Sequence, residues 1–211
     1  MIDLASHLPL FGAAYAILLV GALSPGPAVG MLVGIATVRG RGPALVASAG
    51  IATGSMGLNL LTLAGVGLIL SQAAWAMTVL RVAGGAYLAY LAYGAFRRAA
   101  DPRPIAPLDV PARSTARSFG MGLLLQLTNP KAIVFWLAIN AVGATAGGGW
   151  PVVAAYVAGA WLISFGCHAA WAVLLSSAPV RTLYARARRW VEASLGAFMA
   201  YMAFRLATER T

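Results

Sequence analysis

The chain has 211 residues, of which 61% are hydrophobic and 9% charged, and its mean hydropathy is +0.82; soluble domains carry about a quarter charged residues. A water-soluble fold is excluded. The net charge of +10 does not point to nucleic acid, because the arginines stand in short blocks between apolar runs and form no continuous basic face.

No Asp, Glu, Lys or Arg lies between Asp3 and Arg39, between Arg41 and Arg81, or between Lys131 and Arg181. A bilayer span needs about 20 apolar residues, so an all-α polytopic membrane protein is expected. Cutting the runs at charges, prolines and glycine clusters predicts spans near 8–35, 43–69, 75–96, 119–143, 151–177 and 190–207. The segment before the first run holds Asp3 and His7 but no Lys or Arg, unlike the positive n-region of a cleavable signal. That run is therefore expected to stay as a helix. The single cysteine, Cys167, allows no internal disulfide.

Three of the connections are basic: Arg39 with Arg41, the stretch Arg97 to Arg117, and Arg181 to Arg189. Together they hold 11 of the 15 Lys and Arg residues. The positive-inside bias places them in the cytoplasm and both termini outside. The stretch Asp101 to Arg113, with four prolines, reads as a polar linker within one transmembrane domain, 1–211. It separates a first half (about 8–96, then linker 97–118) from a second (about 119–207).

The third and sixth spans match over nine consecutive positions, Gly85-Ala-Tyr-Leu-Ala-Tyr-Leu-Ala-Tyr93 against Gly196-Ala-Phe-Met-Ala-Tyr-Met-Ala-Phe204. Every difference is Tyr to Phe or Leu to Met. With three spans per half, duplicated halves face opposite ways in the bilayer, which is the 3+3 inverted repeat of many secondary transporters. Gly50-x-x-x-Gly54, Gly30-x-x-x-Gly34 and Gly85-x-x-x-Ala89 are read as close helix packing. Dimerisation through these glycine-rich spans is compatible with the sequence.

Each half carries a motif that a continuous span avoids: Ser24-Pro25-Gly26-Pro27 in the first and Thr128-Asn129-Pro130-Lys131 in the fourth. Proline lacks an N–H and disfavours helix at the residue before it. Broken backbone at membrane depth survives where it is buried in protein or lines a cavity, so broken helices 1 and 4 point to a binding site. Lys131 is the only lysine, about 18 Å into the fourth span from Phe119. A charge there normally meets a partner; a substrate carboxylate or carbonyls freed by Pro25 and Pro27 both qualify. Gln126, Tyr87 and Tyr90 are candidates for the wall of the site. Asn59, Asn140, Ser164, His168 and Arg81 are further intramembrane polar groups. His168 is read either as a packing histidine or as a proton carrier, and Arg81 as snorkelling to the outer face.

Ser-Pro-Gly-Pro in span one, Arg39-Gly-Arg41, Gly84-Gly-Ala-Tyr-Leu-Ala-Tyr-Leu in span three and Gly120 through Asn129-Pro-Lys-Ala132 in span four together resemble the lysine exporter (LysE/RhtB-type) family of bacterial amino-acid exporters. The resemblance runs from about Phe11 to the end. It implies efflux of amino acids or related metabolites across the inner membrane, driven by a proton or sodium gradient, with no cofactor. It carries Pro25, Gly26, Pro27, Asn129, Pro130 and Lys131 over as motif positions. Many members have Asn or Asp after Pro-Gly-Pro; Ala28 stands here, which leaves substrate class and coupling ion open. A metal or inorganic-ion transporter on the same scaffold is the alternative. A lipid-modifying membrane enzyme is the rival class, but it needs convergent acids, histidines or a metal set. The sequence offers only His7 and His168, far apart, and five scattered acids.

Overall fold

Proline and glycine set most of the helix ends. The computed structural model describes residues 4–72, 74–102 and 114–208. Among these, every regular element is helical: a 3-10 turn at Leu4–His7, then α1 Leu8–Leu23, α2 Pro27–Arg39, α3 Arg41–Gln72, α4 Ala74–Ala100, α5 Thr115–Leu127, α6 Pro130–Asn140, α7 Trp150–Leu174 and α8 Ala178–Thr208.

Both expected breaks are present. Ser24 ends α1 with an extended backbone, φ −71° and ψ 116°, the conformation favoured before a proline. Gly26 is extended as well, and Pro27 is the first residue of α2, where its missing N–H has no intrahelical acceptor to lose. In the fourth run Asn129 caps α6, its side-chain oxygen accepting the Lys131 backbone N–H at 3.1 Å. The α5 and α6 axes differ by 66°.

Three helices, Ala5–Leu23, Arg41–Gly65 and Trp150–Leu174, are each long and apolar enough to cross a membrane, and the bent α5–α6 pair makes a fourth if taken as one span. The chain is a multi-pass membrane protein. The sixth run departs from expectation, since helix begins at Ala178 and absorbs the Arg181–Arg189 stretch expected to be a loop. Ala, Leu and Arg are strong helix formers, and no Gly or Pro interrupts the chain between Val180 and Leu195. The proline-rich linker falls largely on 103–113, outside the described residues.

Small residues bring the helices together. A Cβ added at Gly50 would overlap the Phe119 carbonyl, and one at Gly122 the Ala47 carbonyl, so α3 and α5 meet backbone to backbone. Gly54 faces Leu123 and Gln126 in the same seam. Gly122→Val should therefore cost at least about 1–3 kcal/mol of overpacking and sharply reduce the monodisperse fraction on size-exclusion chromatography. Gly120→Val, at a position with no neighbour within 4 Å, should match the parent.

Helices α4 and α8 run antiparallel with reciprocal contacts: an added Cβ at Gly85 lies 3.3 Å from the Ala203 carbonyl oxygen, and one at Gly196 lies 3.3 Å from that of Ala92. At one end of this seam Glu192 is fully buried. It accepts from Arg98 Nε on both carboxylate oxygens at 3.1 Å, with Arg188 Nε 3.7 Å away. The other basic segments gather at the same end, where Arg39 donates to Ser118 (2.9 Å), Arg41 to Ser176 (2.7 Å) and Arg181 to the Leu175 carbonyl (2.9 Å).

Helix α1 packs on α7 through Tyr15 stacked on Tyr156, with centroids 5.5 Å apart. A buried polar knot joins α3, α6 and α7. Asn140 Nδ2 donates to Thr62 Oγ1 (2.7 Å) and Asn59 Oδ1 (3.1 Å), while Tyr156 donates to Asn140 Oδ1 (3.1 Å). Asn59 and Asn140 are thus used in holding helices together.

Candidate functional site

The two breaks face one cavity of about 60 Å³, lined by Ser24, Gly26 and Pro27 from the first break and by Asn129, Lys131 and Ala132 from the second. Such a volume admits a few waters or the polar head of a small solute. Ser55, Gln126, Ser164, His168, Phe135 and Trp136 complete the wall. The first turn of a helix leaves its N–H groups without intrahelical acceptors. Gly30 N–H already bonds the Gly26 carbonyl and Ile133 N–H the Asn129 carbonyl, which leaves Ala28, Val29 and Ala132 as cavity-lining positions whose N–H groups lie at helix starts. Two N-terminal dipole ends, of α2 and α6, therefore converge on this space and favour an anion.

Lys131 adds a charged donor. Its Nζ lies 3.5 Å from the Ser24 carbonyl, a long contact. A Cβ on Gly26 would sit 3.8 Å from Nζ. Pro25 and Pro27 offer no N–H to the preceding turn, so the C-terminal end of α1, with Leu18, Gly21 and Ala22 on the wall, brings carbonyls to the same space; that of Ala22 accepts from Trp171 Nε1 at 3.2 Å.

His168 was legible only as an intramembrane histidine, but it lines the cavity. Its Nδ1 lies 2.7 Å from the Ser164 carbonyl. A carbonyl can only accept, so Nδ1 donates here, and in the neutral imidazole Nε2 is left as an acceptor. The Ser24 and Ser164 hydroxyls are buried with no hydrogen-bond partner. Gln126 is committed to Ser55, donating at 2.7 Å.

Not every expected wall residue is here. Tyr87 and Tyr90 do not line this cavity: Tyr87 packs against the apolar core and Tyr90 is 67% exposed on α4. Three residues apart on a helix they are neighbours, and their rings touch with centroids 6.1 Å apart, away from the cavity wall. Pro25 is buried behind the break, and Pro130 starts α6. The side chains of Arg81 and Pro130 lie outside what is described. The residues added by the structure are Ser55, Ser164 and His168. Ser164 and His168, one helical turn apart in a charge-free run, were the available signal.

The chain matches the family of LysE type translocators over residues 19–210. It is 31% identical over 204 residues to a threonine efflux protein of Escherichia coli (strain K12), covering 91% of this chain and 94% of that one. A threonine efflux protein of Salmonella typhi is 30% identical over 200 residues, with the same coverage. An uncharacterized membrane protein of Escherichia coli (strain K12) is 28% identical over 191 residues, covering 88% and 83%. No solved structure matches. The chain belongs to the LysE type translocator family and is a membrane transporter, not an enzyme.

Proposed function

We propose that this protein exports amino acids, or metabolites built like them, across the bacterial inner membrane by alternating access around the cavity at the two breaks. The observation that carries the reading is the convergence of two helix N-termini and the Lys131 ammonium on one cavity that the C-terminal end of α1 also borders, its Ser24 carbonyl 3.5 Å from Nζ. The helix N-termini and the ammonium suit a carboxylate and the α1 carbonyls suit an ammonium, so the cavity offers both kinds of group that a zwitterion needs. Lys131 and the N–H groups of Ala28, Val29 and Ala132 take the carboxylate. The α1 carbonyls, Ser164 and the Nε2 of His168 face the ammonium, and Asn129 fixes the second break. The threonine efflux proteins to which the chain is similar support the substrate class.

Three spans per half in opposite orientations is the architecture this reading uses. It is supported by the matched stretches 85–93 and 196–204, whose glycines contact each other's matching alanines across the antiparallel α4–α8 seam. In this reading transport is secondary, and the gradient it uses is that of a proton or sodium ion. The arginine-rich end faces the cytoplasm by the positive-inside bias, which puts both termini outside.

The test is release of labelled threonine and other neutral amino acids from loaded proteoliposomes. The parent should release them faster than empty vesicles, and the free amino acid should compete at least about tenfold better than its methyl ester, the loss expected on removing a charge-assisted contact. If correctly inserted protein released no amino acid, or if ester and acid competed equally, the reading would be wrong.

A further inference from the structure

We propose that a groove between α1, α7 and α8, separate from the central cavity, holds an anionic phospholipid. The groove has a volume of about 620 Å³, and its walls include Leu23, Trp171, Tyr184, Trp190, Leu195 and Phe198. From Tyr184 to Phe198 it follows α8 for about 21 Å at 1.5 Å per residue. One leaflet's hydrocarbon is about 15 Å deep, so the groove accommodates an acyl chain along its length.

Its occupant is argued from charge. Tyr184, Val191 and Leu195 line the groove; Arg188 shares their helical face and lies beside the groove rather than on its wall, and the Tyr184 hydroxyl and the Nε and Nη1 atoms of Arg188 are buried without hydrogen-bond partners. The Arg188 side chain is 10% exposed. Arg188 and Arg98 share one carboxylate, Glu192. Arg98 makes the hydrogen bonds, while Arg188 Nε stands 3.7 Å off. A buried guanidinium so poorly served is costly, and a phosphate would give it the bidentate partner that suits its geometry. Trp190, 74% exposed, stands at the groove where an aromatic anchors a membrane–water interface. Arg186 and Arg189, exposed on the same helix, make the approach positive and suited to an anionic leaflet.

The test is native mass spectrometry of delipidated full-length protein exposed to an equimolar mixture of phosphatidylglycerol and phosphatidylcholine. The parent should retain phosphatidylglycerol about tenfold over phosphatidylcholine. Arg188→Gln and Tyr184→Phe should bring that ratio toward one, and Leu195→Trp, which fills the groove and leaves the charge cluster intact, should reduce retention of both lipids. The phenylalanine and tryptophan variants keep the test decisive should Arg188→Gln fail to fold. Equal retention of the two lipids by the parent, or parental selectivity in Tyr184→Phe and Arg188→Gln, would overturn the proposal. Displacement of lipid by millimolar inorganic phosphate would assign a free-anion site instead, and a lipid-free dimer lost in Leu195→Trp would assign a second copy of the chain.

Discussion

Lys131→Ala is expected to lower efflux by at least about tenfold, toward the rate of empty vesicles, while leaving insertion intact. The ammonium lines the central cavity and makes one long contact to the Ser24 carbonyl, at 3.5 Å, so little structure depends on it. A charge-assisted hydrogen bond is worth about 1.5–3 kcal/mol, or roughly 10- to 150-fold in transport rate if it is made to the substrate carboxylate. Lys131→Arg should retain part of the activity, because the charge persists but the planar fork is bulkier and less adaptable than an ammonium. The measurement is the initial rate of amino-acid release at matched protein density. Parental rates in the alanine variant would show that the carboxylate binds elsewhere.

Glu192→Ala should have the largest effect on stability. The carboxylate is fully buried and holds Arg98 at 3.1 Å and Arg188 at 3.7 Å, so its removal leaves two guanidiniums facing each other in the α4–α8 seam. Breaking a buried pair from one side costs about 3–5 kcal/mol, which for a chain of this size lowers Tm by on the order of 10 °C. A cycle with Arg98→Gln distinguishes charge from packing. If charge governs, the double variant is more stable than Glu192→Ala alone; if the two effects simply add, the ion pair is not what stabilises the seam.

The two helix breaks were legible because proline acts locally, through its own missing N–H and through the residue before it. Ser24 ends α1 and Asn129 starts α6 where the motifs place them. Packing of Gly50 and Gly54 was legible for a related reason, since small residues at helical spacing favour close approach. The start of α8 was not legible. Arginines between apolar runs read as a loop, yet side chains on a helix can point to water from one face while the backbone continues, and α8 begins at Ala178.

The partners of Glu192 and His168 were hidden for a different reason. Both depend on which helices meet, and the sequence showed Glu192 only as an acid near an arginine-rich segment. Its partner Arg98 comes from α4, a neighbour named by the antiparallel seam and by nothing local. Tyr87 and Tyr90 illustrate the converse. Their repeat is conspicuous, but it faces the core at one tyrosine and the surroundings at the other.

The knot at Asn140 makes α6 unequally held. Its far end is tied to α3 through Asn59 and Thr62 and to α7 through Tyr156. Its near end packs Ala132, Phe135 and Trp136 into the apolar core and, among the described residues, reaches α1 by one side-chain hydrogen bond, the long Lys131–Ser24 contact. A rod whose polar bonds are strong at one end and weak at the other is a lever with its fulcrum at Asn140. The arm from there to Lys131 is about 13.5 Å at 1.5 Å per residue, so a tilt of α6 too small to disturb the amide knot is delivered almost entirely as sideways travel of the ammonium.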